Sequence, residues 1–439
     1  MKKVVKFGGS SLASAEQFEK VGKIIKKDEA RRYVIPSAPG KRTPNDTKVT
    51  DMLYSCYGQA ILENDFEKQF KGIEERYNEI IKGLGLKTNL SKEFALIKEN
   101  FAKKEGRDYA ASRGEYLNGI IMADYLGFDF IDAAEVIIFD EKGDFDAKET
   151  NVRLSERLSK SEHAVIPGFY GAQKNGKVRT FSRGGSDVTG SLVARAIYAD
   201  MYENWTDVSG FLVADPRIVR KPKAIDVISY RELRELSYMG ASVLHEEAIF
   251  PVRKEGIPIN IRNTNRPEDP GTLIVESTCR KPRFTITGIA GKTDFASITI
   301  EKAMMNSEVG FCRKVLEVFE ENDISIEHMP SGIDTMTIFV HQDEFEEKEQ
   351  KVIAGIHRAV EPDFVELESD LALIAVVGRG MKATRGTSGR IFSALAHANV
   401  NVRMIDQGSS ELNIIVGVRN HDFEDAIKAI YDIFVTIQI

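Results

Sequence analysis

The chain has 439 residues, which is room for about three domains of ordinary size. Its 60 Lys and Arg face 67 Asp and Glu, a net charge of −7, and no basic block stands out, which excludes nucleic acid as the main partner. The longest uninterrupted apolar run, Leu371 to Val377, is far shorter than the roughly 20 residues that cross a bilayer. We therefore expect no membrane partner.

The amino terminus and the cysteines indicate a cellular compartment. The sequence opens with lysines, but Lys6 and the following glycines interrupt it before the apolar core of an export signal can form. Three scattered cysteines, Cys56, Cys279 and Cys312, are too few for a disulfide framework or a Cys-x-x-Cys metal site. We expect a cytoplasmic protein.

The first forty residues predict a strand, a glycine loop, a helix and a second strand. Val4 to Phe7 is a short β-branched run that ends in the loop Gly8 to Ser11. Apolar residues then recur at helical spacing over residues 18–25, behind a capping box formed by Ser14 and Gln17. Tyr33 to Ile35 is typical of the second strand, so the segment reads as a βαβ unit.

The middle of the chain alternates between helical and strand patterns. Residues from about 58 to 126 are rich in charge and predict helices with solvated faces. Strand patterns follow at 130–132, 136–139, 164–167, 202–207, 259–262 and 272–275, with helical patterns between them. This alternation predicts an α/β fold with a largely parallel sheet.

The last third repeats itself. A shift of 76 residues places Ile374–Val376 over Ile298–Ile300 and Gly386 over Gly310. Each copy predicts strand, helix, strand, strand, and a unit of this size cannot bury both faces of its sheet alone. We expect the two copies to pack together and against a partner chain, beyond a boundary near Lys281 and Pro282.

Two glycine loops predict phosphate binding. The first is Lys6 to Ser11 and the second is Ser182 to Asp187, which precedes a helical stretch. Glycine lets backbone N–H groups approach an anion, and the positive end of the following helix adds to the attraction. Either loop alone could be an ordinary turn between a strand and a helix, but two together suit a ligand with several phosphates. Neither has the P-loop spacing.

The segment Gly378 to Ala383 matches the G-x-G-x-x-G/A dinucleotide pattern and follows a strand. Against this interpretation, Gly386 interrupts the helix that should begin at once, and too few residues follow Asp406 to complete the sheet. An NAD-dependent oxidoreductase is therefore kept only as an alternative function.

Two acidic positions have two interpretations each. Ser112 and Glu115 have the spacing of a capping box just before a helix, whereas the functional interpretation makes Glu115 a ligand for a substrate ammonium group. Asp207 follows a strand and either binds ribose or adenine or caps a turn. The histidines lack metal-ligand spacing, so we predict no metal site built by the protein.

These motifs resemble one family, the aspartate kinases. The matching segments are KFGGSS at 6–11, SAPG at 37–40, RGE at 113–115, GFYG at 168–171, SRGGSD at 182–187, WTDVSG at 205–210 and ADPR at 214–217. The resemblance implies an amino acid kinase-like α/β sandwich with a largely parallel central sheet, followed by two α+β ferredoxin-like ACT domains. It places the catalytic domain at 1–280, with an aspartate lobe to about 170 and a nucleotide lobe beyond it. The regulatory region would be 281–439, with ACT domains at about 294–366 and 370–439.

The resemblance implies transfer of the γ-phosphoryl group of MgATP to the β-carboxylate of L-aspartate, giving 4-phospho-L-aspartate, the first step of lysine, threonine and methionine biosynthesis. Mg²⁺ would arrive with ATP. The implied catalytic residues are Lys6 and Asp187. The implied ATP-binding residues are Lys6, Gly8, Gly9, Ser10, Gly184, Gly185, Thr206, Asp207, Arg217, Ser242 and Val243. The implied aspartate-binding residues are Ser37, Thr50, Glu115, Phe169 and Arg183.

The sequence departs from the family pattern at two positions. Leu212 stands where the family often has tyrosine, and Ser242 where it often has lysine. Ser242 removes a positive charge expected near the nucleotide, which would raise the requirement for ATP.

The ACT pair implies feedback by an amino acid and assembly into a homodimer or a tetramer. The matching effector positions are Met305, Gly310, Phe311, Ser325, Ile326 and Glu327. Glu327 suits an effector's ammonium group, which favours lysine first and threonine second. The alternative is that these residues only pack an interface. Two alternatives to the whole assignment remain: another carboxylate kinase of the same fold, and a non-catalytic amino-acid sensor.

Overall fold

The computed structural model describes residues 1–182, 184–241, 246–277, 284–408 and 410–436, without the side chains of Glu246 and Glu247. The predicted site residues Arg183, Ser242 and Val243 lie outside the described residues. The chain forms two compact units. The first comprises Met1–Phe211, Ala224–Arg231 and the described residues between 243 and 278. The second comprises Leu212–Lys223, the described residues between 232 and 242, and those beyond 279.

The chain up to residue 277 alternates strands and helices. The strands are β1 Lys3–Phe7, β2 Arg31–Pro36, β3 Asp129–Phe130, β4 Ile138–Phe139, β5 Ala164–Val165, β6 Tyr170–Gln173, β7 Val178–Thr180, β8 Met201–Thr206, β9 Val227–Ser229, β10 Ile259–Asn263 and β11 Thr272–Val275. The helices are α1 Ala15–Lys26, α2 Val49–Ile61, α3 Glu67–Gly83, α4 Ser91–Ala102, α5 Arg107–Leu126, α6 Ala133–Val136, α7 Ala147–Leu158, α8 Gly185–Ala196, α9 Tyr230–Tyr238 and α10 Glu246–Lys254.

The centre of the first unit is an eight-stranded sheet in the order β3-β5-β2-β1-β8-β10-β11-β9. Every neighbouring pair is parallel except β10 with β11. A small second sheet joins β4, β6 and β7. The predicted α/β fold with a largely parallel sheet is confirmed.

Helix α1 forms as its sequence predicts. The Ser14 side chain accepts a hydrogen bond from the Gln17 amide at 3.4 Å, and the apolar side chains on one face are buried. The Gln17 side chain does not close the capping box, because its amide donates to Asn265 Oδ1 at 3.4 Å instead. The buried face of α1 joins β1, Trp205 and helices α2 to α5 in one hydrophobic core.

Two local predictions are wrong. The capping box at Ser112 and Glu115 does not exist, because α5 begins at Arg107 and both residues lie in its interior. The strand predicted over 136–139 is shorter, because Ala133–Val136 forms a helical turn capped by the Asp132 side chain, which leaves only β4.

The second unit carries the repeat. Its strands are β12 Gly288–Glu301, β13 Ile326–His328, β14 Thr335–His341, β15 Phe364–Val377, β16 Met404–Asp406 and β17 Asn413–Arg419. Its helices are α11 Phe311–Glu321, α12 Gln342–Glu346, α13 Glu349–Val360, α14 Thr387–His397 and α15 Phe423–Tyr431. The strands form one antiparallel sheet in the order β13-β14-β12-β15-β17-β16.

The two copies of the repeat have matching backbone conformations at one pair of glycines. Gly310 and Gly386, paired by the sequence shift, precede α11 and α14 with φ values of 83° and 80°. The two copies also share strands, which the repeat does not predict. Residues 288–292 of β12 pair with 373–377 of β15, in the second copy, while 297–301 pair with 364–368, in the first. The two copies therefore pack together as expected.

The predicted dinucleotide turn is a different structure. The residues after β15 form a 3₁₀ turn over Met381–Ala383, and α14 begins only at Thr387, after Gly386. A dinucleotide-binding turn needs a helix amino terminus directly at its glycines. The NAD hypothesis is therefore wrong. Over the described ranges, the helices are all too short or too polar to span a membrane.

Candidate active site

The two predicted catalytic residues are in direct contact. Lys6, in β1, places its Nζ 2.7 Å from Oδ1 of Asp187, which lies in the first turn of α8. Asn204, in β8, donates from Nδ2 to the same Oδ1 at 2.8 Å. Both charged side chains are nearly buried, so little solvent screens the pair. This contact joins the strand that leads into the first glycine loop to the helix that follows the second.

The first glycine loop is packed too closely for side chains. A Cβ on Gly9 would lie 2.8 Å from the carbonyl oxygen of Ala38, and the Gly40 amide donates to the Gly9 carbonyl at 2.8 Å. The SAPG segment at 37–40 therefore forms the wall of this loop. The Gly8 amide already donates to the Trp205 carbonyl at 3.0 Å, so it holds the loop to β8 rather than facing outward.

The second glycine loop packs on the GFYG segment. A Cβ on Gly185 would lie 2.6 Å from the Phe169 ring, and one on Gly168 would lie 2.6 Å from Ser186. Phe169 itself has a left-handed φ of 82°, held by a hydrogen bond from its amide to Thr189 Oγ1 at 3.1 Å. Gly184 adopts φ 58° immediately before α8, whose amino terminus concentrates partial positive charge.

Glu115 is a buried carboxyl group with an unused oxygen. It lies in the middle of α5 and accepts a hydrogen bond from the backbone amide of Ala38. Among the described residues, its Oε2 has no hydrogen-bond partner. Burial raises the pKa of Glu115 to about 8. A carboxyl group in this state is a ready site for a cation, because an ammonium group would supply the missing partner and stabilise the ionised form.

Other predicted aspartate-binding residues lie close to Glu115. A Cβ on Gly114 would be 3.8 Å from Thr50 Oγ1 and 2.8 Å from the Ala38 Cβ. The Ser37 carbonyl accepts from Asn118 Nδ2 at 2.6 Å. Since Ala38 also contacts the first glycine loop, this group lies next to the phosphate loop.

Three contributors to this site were missed from the sequence. Asn204 orients Asp187, Asn118 fixes Ser37, and Arg113 lies over the rings of Tyr109, Tyr116 and Tyr170 at 4.7, 4.4 and 5.2 Å. A signal was present in two cases: Asn204 lies inside a buried strand, and Asn118 lies one helical turn after Glu115. Buried amides need partners, which makes such residues worth inspecting.

The predicted nucleotide residues lie in both units. In the first, Thr206 ends β8 and donates to Asp207 Oδ1 at 3.1 Å, while Asn263 Nδ2 donates to the Asp207 carbonyl at 3.2 Å. In the second, Arg217 is exposed and pairs with Asp215 at 2.6 Å. Ser10 is exposed beside Gly9.

The predicted effector residues divide by burial. Met305 and Phe311 belong to the hydrophobic core of the first repeat copy, and Gly310 precedes α11. Ser325 is exposed, Ile326 is half-buried, and Glu327 Oε1 lies 3.4 Å from His341 Nε2. Met305 and Phe311 fit the packing interpretation, whereas Glu327 is mostly buried and also hydrogen-bonds Tyr238, so its role toward an effector stays a prediction.

Family comparisons agree with this architecture. The model of the amino acid kinase family matches residues 1–263, and the model of an ACT domain matches residues 374–434. The protein is thus an ATP-dependent phosphotransferase in class, with a regulatory domain of the ACT type.

Individual relatives indicate which kind of amino acid kinase this chain is. Aspartokinase 3 of Bacillus subtilis (strain 168) is 40% identical over 447 residues, which cover 98% of each chain. The crystal structure of Clostridium acetobutylicum aspartate kinase is 54% identical, covers 99% of this chain and 100% of that one, and superposes with a TM-score of 0.90. The E. coli aspartokinase III structure with aspartate and ADP, at 22% identity, covers 99% of both chains and shares the fold with a TM-score of 0.71. The chain belongs to the amino acid kinase family and, within it, to the aspartate kinases.

Proposed function

We propose that this enzyme transfers the γ-phosphoryl group of MgATP to the β-carboxylate of L-aspartate, giving 4-phospho-L-aspartate. The contact of Lys6 with Asp187 carries this proposal, because it joins a residue of the first predicted phosphate loop to a residue of the second in one nearly buried ion pair. In this view the reaction opens the biosynthesis of lysine, threonine and methionine.

The chemistry needs charge neutralisation more than proton transfer. An ionised carboxylate is already a nucleophile, so the acceptor needs no general base, and catalysis consists of holding two anions in line. Lys6 would stabilise the charge on the transferring phosphoryl group, while Asp187, which Asn204 orients, holds its Nζ in place. Mg²⁺ enters as part of the substrate MgATP.

The phosphate contacts differ in one respect from the sequence prediction. The Gly8 amide is committed to Trp205, so we assign phosphate oxygens to the amides of Gly9, Ser10, Gly184 and Gly185. The ribose and adenine would lie toward Thr206, Asp207, Arg217, Ser242 and Val243. Ser242, in place of a lysine, would raise the ATP concentration required.

For L-aspartate we assign Glu115 to the α-ammonium group and Arg183 to the α-carboxylate, with Ser37, Thr50 and Phe169 around them. The unused oxygen of Glu115 supports this assignment. Arg183 presents a planar pair of donors that matches a carboxylate. The E. coli relative was crystallised with aspartate and ADP, which is a statement about that enzyme.

We further propose feedback inhibition through the ACT region, with lysine as the first candidate effector, threonine as the second, and Glu327 as the partner of its ammonium group. E. coli aspartokinase III was crystallised with lysine and aspartate in a state named T. A homodimer or tetramer through the ACT domains belongs to the same proposal. So do the limits 1–280 for the catalytic region and 281–439 for the regulatory region, which the two family matches support.

Trapping of the acyl phosphate tests the reaction. The enzyme is incubated with MgATP and L-aspartate in the presence of hydroxylamine, and the aspartyl hydroxamate is measured. We expect hydroxamate that depends on both substrates, with much less when L-glutamate replaces L-aspartate. Hydroxamate with L-glutamate alone would favour another carboxylate kinase of this fold. Amino-acid binding without any hydroxamate would favour a non-catalytic sensor.

A further inference from the structure

A cleft of about 520 Å³ lies in the first unit between α1 and the residues that follow β10. It is lined by Lys20, Lys23, Ile24, Lys27, Asp28, Arg31, Trp205, Arg262, Thr264, Asn265 and Pro267. Five of these side chains are cationic and one is acidic, in a protein whose net charge is −7. We name this feature the α1 cleft. The mechanism proposed above uses none of its charged residues.

The two arginines of the α1 cleft are held in fixed positions. Arg31 Nε binds Glu203 Oε2 at 2.8 Å. Arg262 Nη2 donates to the carbonyl oxygens of Pro267 and Asp269, at 2.7 and 3.1 Å. Both guanidinium groups lie over the Trp205 ring, at 5.2 and 4.7 Å from its centre. Arg31 is buried and its charge is balanced by Glu203, so Arg262 is the preorganised cation that a ligand would meet, which lowers the entropy lost on binding.

The positive charge of the α1 cleft is incompletely balanced. Its one acid, Asp28, already pairs with Lys3 at 2.7 Å. Within the described part of the chain, the buried Nε of Arg262 has no hydrogen-bond partner. Burial also lowers the pKa of Arg262, a cost that a bound anion would offset.

Thr264 of the α1 cleft contacts Ser11 of the first glycine loop at 2.8 Å, but the cations of the cleft and the Lys6–Asp187 pair lie on opposite faces of the sheet. Successive side chains of a strand point to opposite faces of the sheet. In β8, Asn204 contacts Asp187 of the active site, whereas its neighbours Glu203 and Trp205 contact Arg31 on the α1 side. The lysines of α1 therefore lie on the opposite face of the sheet from α8.

The spacing of the cations sets the size of the ligand. Lys20, Lys23 and Lys27 recur at intervals of three and four along one side of α1, a rise of about 10 Å from first to last. A single phosphate cannot reach all three, but a chain of two or three phosphates can. Trp205 is 1% exposed, so its ring is covered and offers no surface on which a base could stack.

We propose that the α1 cleft is a second anion site that binds a small polyanion with at least two linked phosphate groups, independently of any nucleobase. The ligand would lie along Lys20, Lys23 and Lys27, with the Arg262 guanidinium group in the wall of the cleft. Its volume falls in the range of small-molecule sites.

Calorimetric titration of the full-length chain with sodium tripolyphosphate tests this proposal. We expect two binding events in the parent, one at the active site and one in the α1 cleft. Lys23→Glu with Lys27→Glu should weaken binding in the α1 cleft tenfold or more and leave binding at the active site unchanged. Lys6→Ala should weaken binding at the active site only. The double variant should keep the parent's hydroxamate activity, so the two proposals fail separately.

The matched control is Lys87→Glu with Lys92→Glu, which changes the net charge equally at exposed positions outside the cleft. It should leave both events within about twofold of the parent. Lys23→Gln with Lys27→Gln, checked by circular dichroism, provides a milder cleft variant should charge reversal impair folding. A single binding event that Lys6→Ala removes, or equal weakening in the cleft and control variants, would overturn the proposal.

Discussion

Two buried glutamates, one in each unit, show what separates a functional carboxylate from a structural one. Glu232, in the second unit, accepts hydrogen bonds from Thr287 Oγ1 at 2.5 Å, from the Arg379 amide at 2.9 Å and from Arg379 Nη1 at 2.8 Å. Glu115, in the first unit, is buried to a similar degree, yet within the described residues its Oε2 has no partner. The protein itself supplies the hydrogen bonds to Glu232, whereas the Oε2 of Glu115 remains available to a ligand.

The same contrast holds for the two units as wholes. The first brings Lys6 of β1 and Asn204 of β8, two neighbouring parallel strands, to the same carboxylate, Asp187, and holds Glu115 buried in α5. The second is an antiparallel sheet covered by amphipathic helices, and its symmetric copies keep equivalent backbone positions. We infer that the polar cluster of the first unit serves the reaction, and that the repeated backbone geometry of the second serves as a scaffold. The following experiments test this distinction.

The largest effect on stability should come from breaking the completed pair. Arg379→Ala removes the Arg379 charge from the buried Glu232 carboxylate, which should cost about 3–5 kcal/mol of unfolding free energy. Urea denaturation measures it. Lys428→Ala is the matched control, since it breaks an exposed pair with Glu424 and should leave the unfolding free energy close to that of the parent. Equal losses in the two variants would contradict the structural role of Glu232.

The largest effect on turnover should come from Lys6. Lys6→Ala removes the cation that both phosphate loops surround, so kcat should fall by about 10²-fold or more. Hydroxamate formation at saturating MgATP and L-aspartate measures it. Lys2→Ala, an exposed lysine at the start of the chain, should keep the parent kcat. An unchanged kcat in Lys6→Ala would remove Lys6 from the reaction.

Glu115→Gln should act on one substrate only. The amide keeps the shape of the side chain but cannot carry the charge that attracts an ammonium group, so KM for L-aspartate should rise about tenfold or more, with KM for ATP unchanged. Steady-state kinetics with each substrate varied in turn separates the two constants. A lower melting temperature with both constants unchanged would show that Glu115 serves only the fold.

The pH dependence of aspartate binding should follow Glu115. Its pKa is raised from 4.5 to about 8, so the folded protein holds a proton there between these values that the unfolded chain releases. The contribution of Glu115 to stability is therefore largest below pH 4.5 and is lost as the pH rises to 8. Aspartate binding has the opposite sign, because its ammonium group needs the ionised carboxylate. KM for L-aspartate should fall by up to about tenfold per unit between pH 6 and pH 8, and Glu115→Gln should flatten this profile.

The smallest effects should come from the paired glycines. Gly310→Ala and Gly386→Ala put a Cβ on left-handed backbone in open space, so strain alone should cost about 1–2 kcal/mol in each. Gly389→Ala, inside α14 and also in open space, should be neutral or stabilising by about 0.5–1 kcal/mol. Unequal costs at Gly310 and Gly386, measured by urea denaturation, would show that the two copies differ energetically despite their matching geometry.

Local sequence patterns predicted much of this protein correctly. The opening βαβ unit, the largely parallel sheet and the internal repeat depend on hydrophobic periodicity and on glycine, which act over a few residues. Two local predictions failed. The capping box at Ser112 and Glu115 has the right spacing, but α5 had already begun at Arg107, and the strand predicted over 136–139 is shortened by the helical turn Ala133–Val136. At Gly378 the sequence argument against a dinucleotide site was correct, because α14 begins only after Gly386.

Local sequence is enough to predict most of the strands, helices and glycine loops, because each depends on backbone preferences and periodicity within one segment. Three features appear only in the folded chain: the contact of Lys6 with Asp187, the hydrogen bond from Gly8 to Trp205, and the Glu115 oxygen that has no partner among the described residues. It also decided that the two repeat copies share their long strands. These features join residues far apart in the chain, and their energies depend on burial and partner geometry, which no local pattern records.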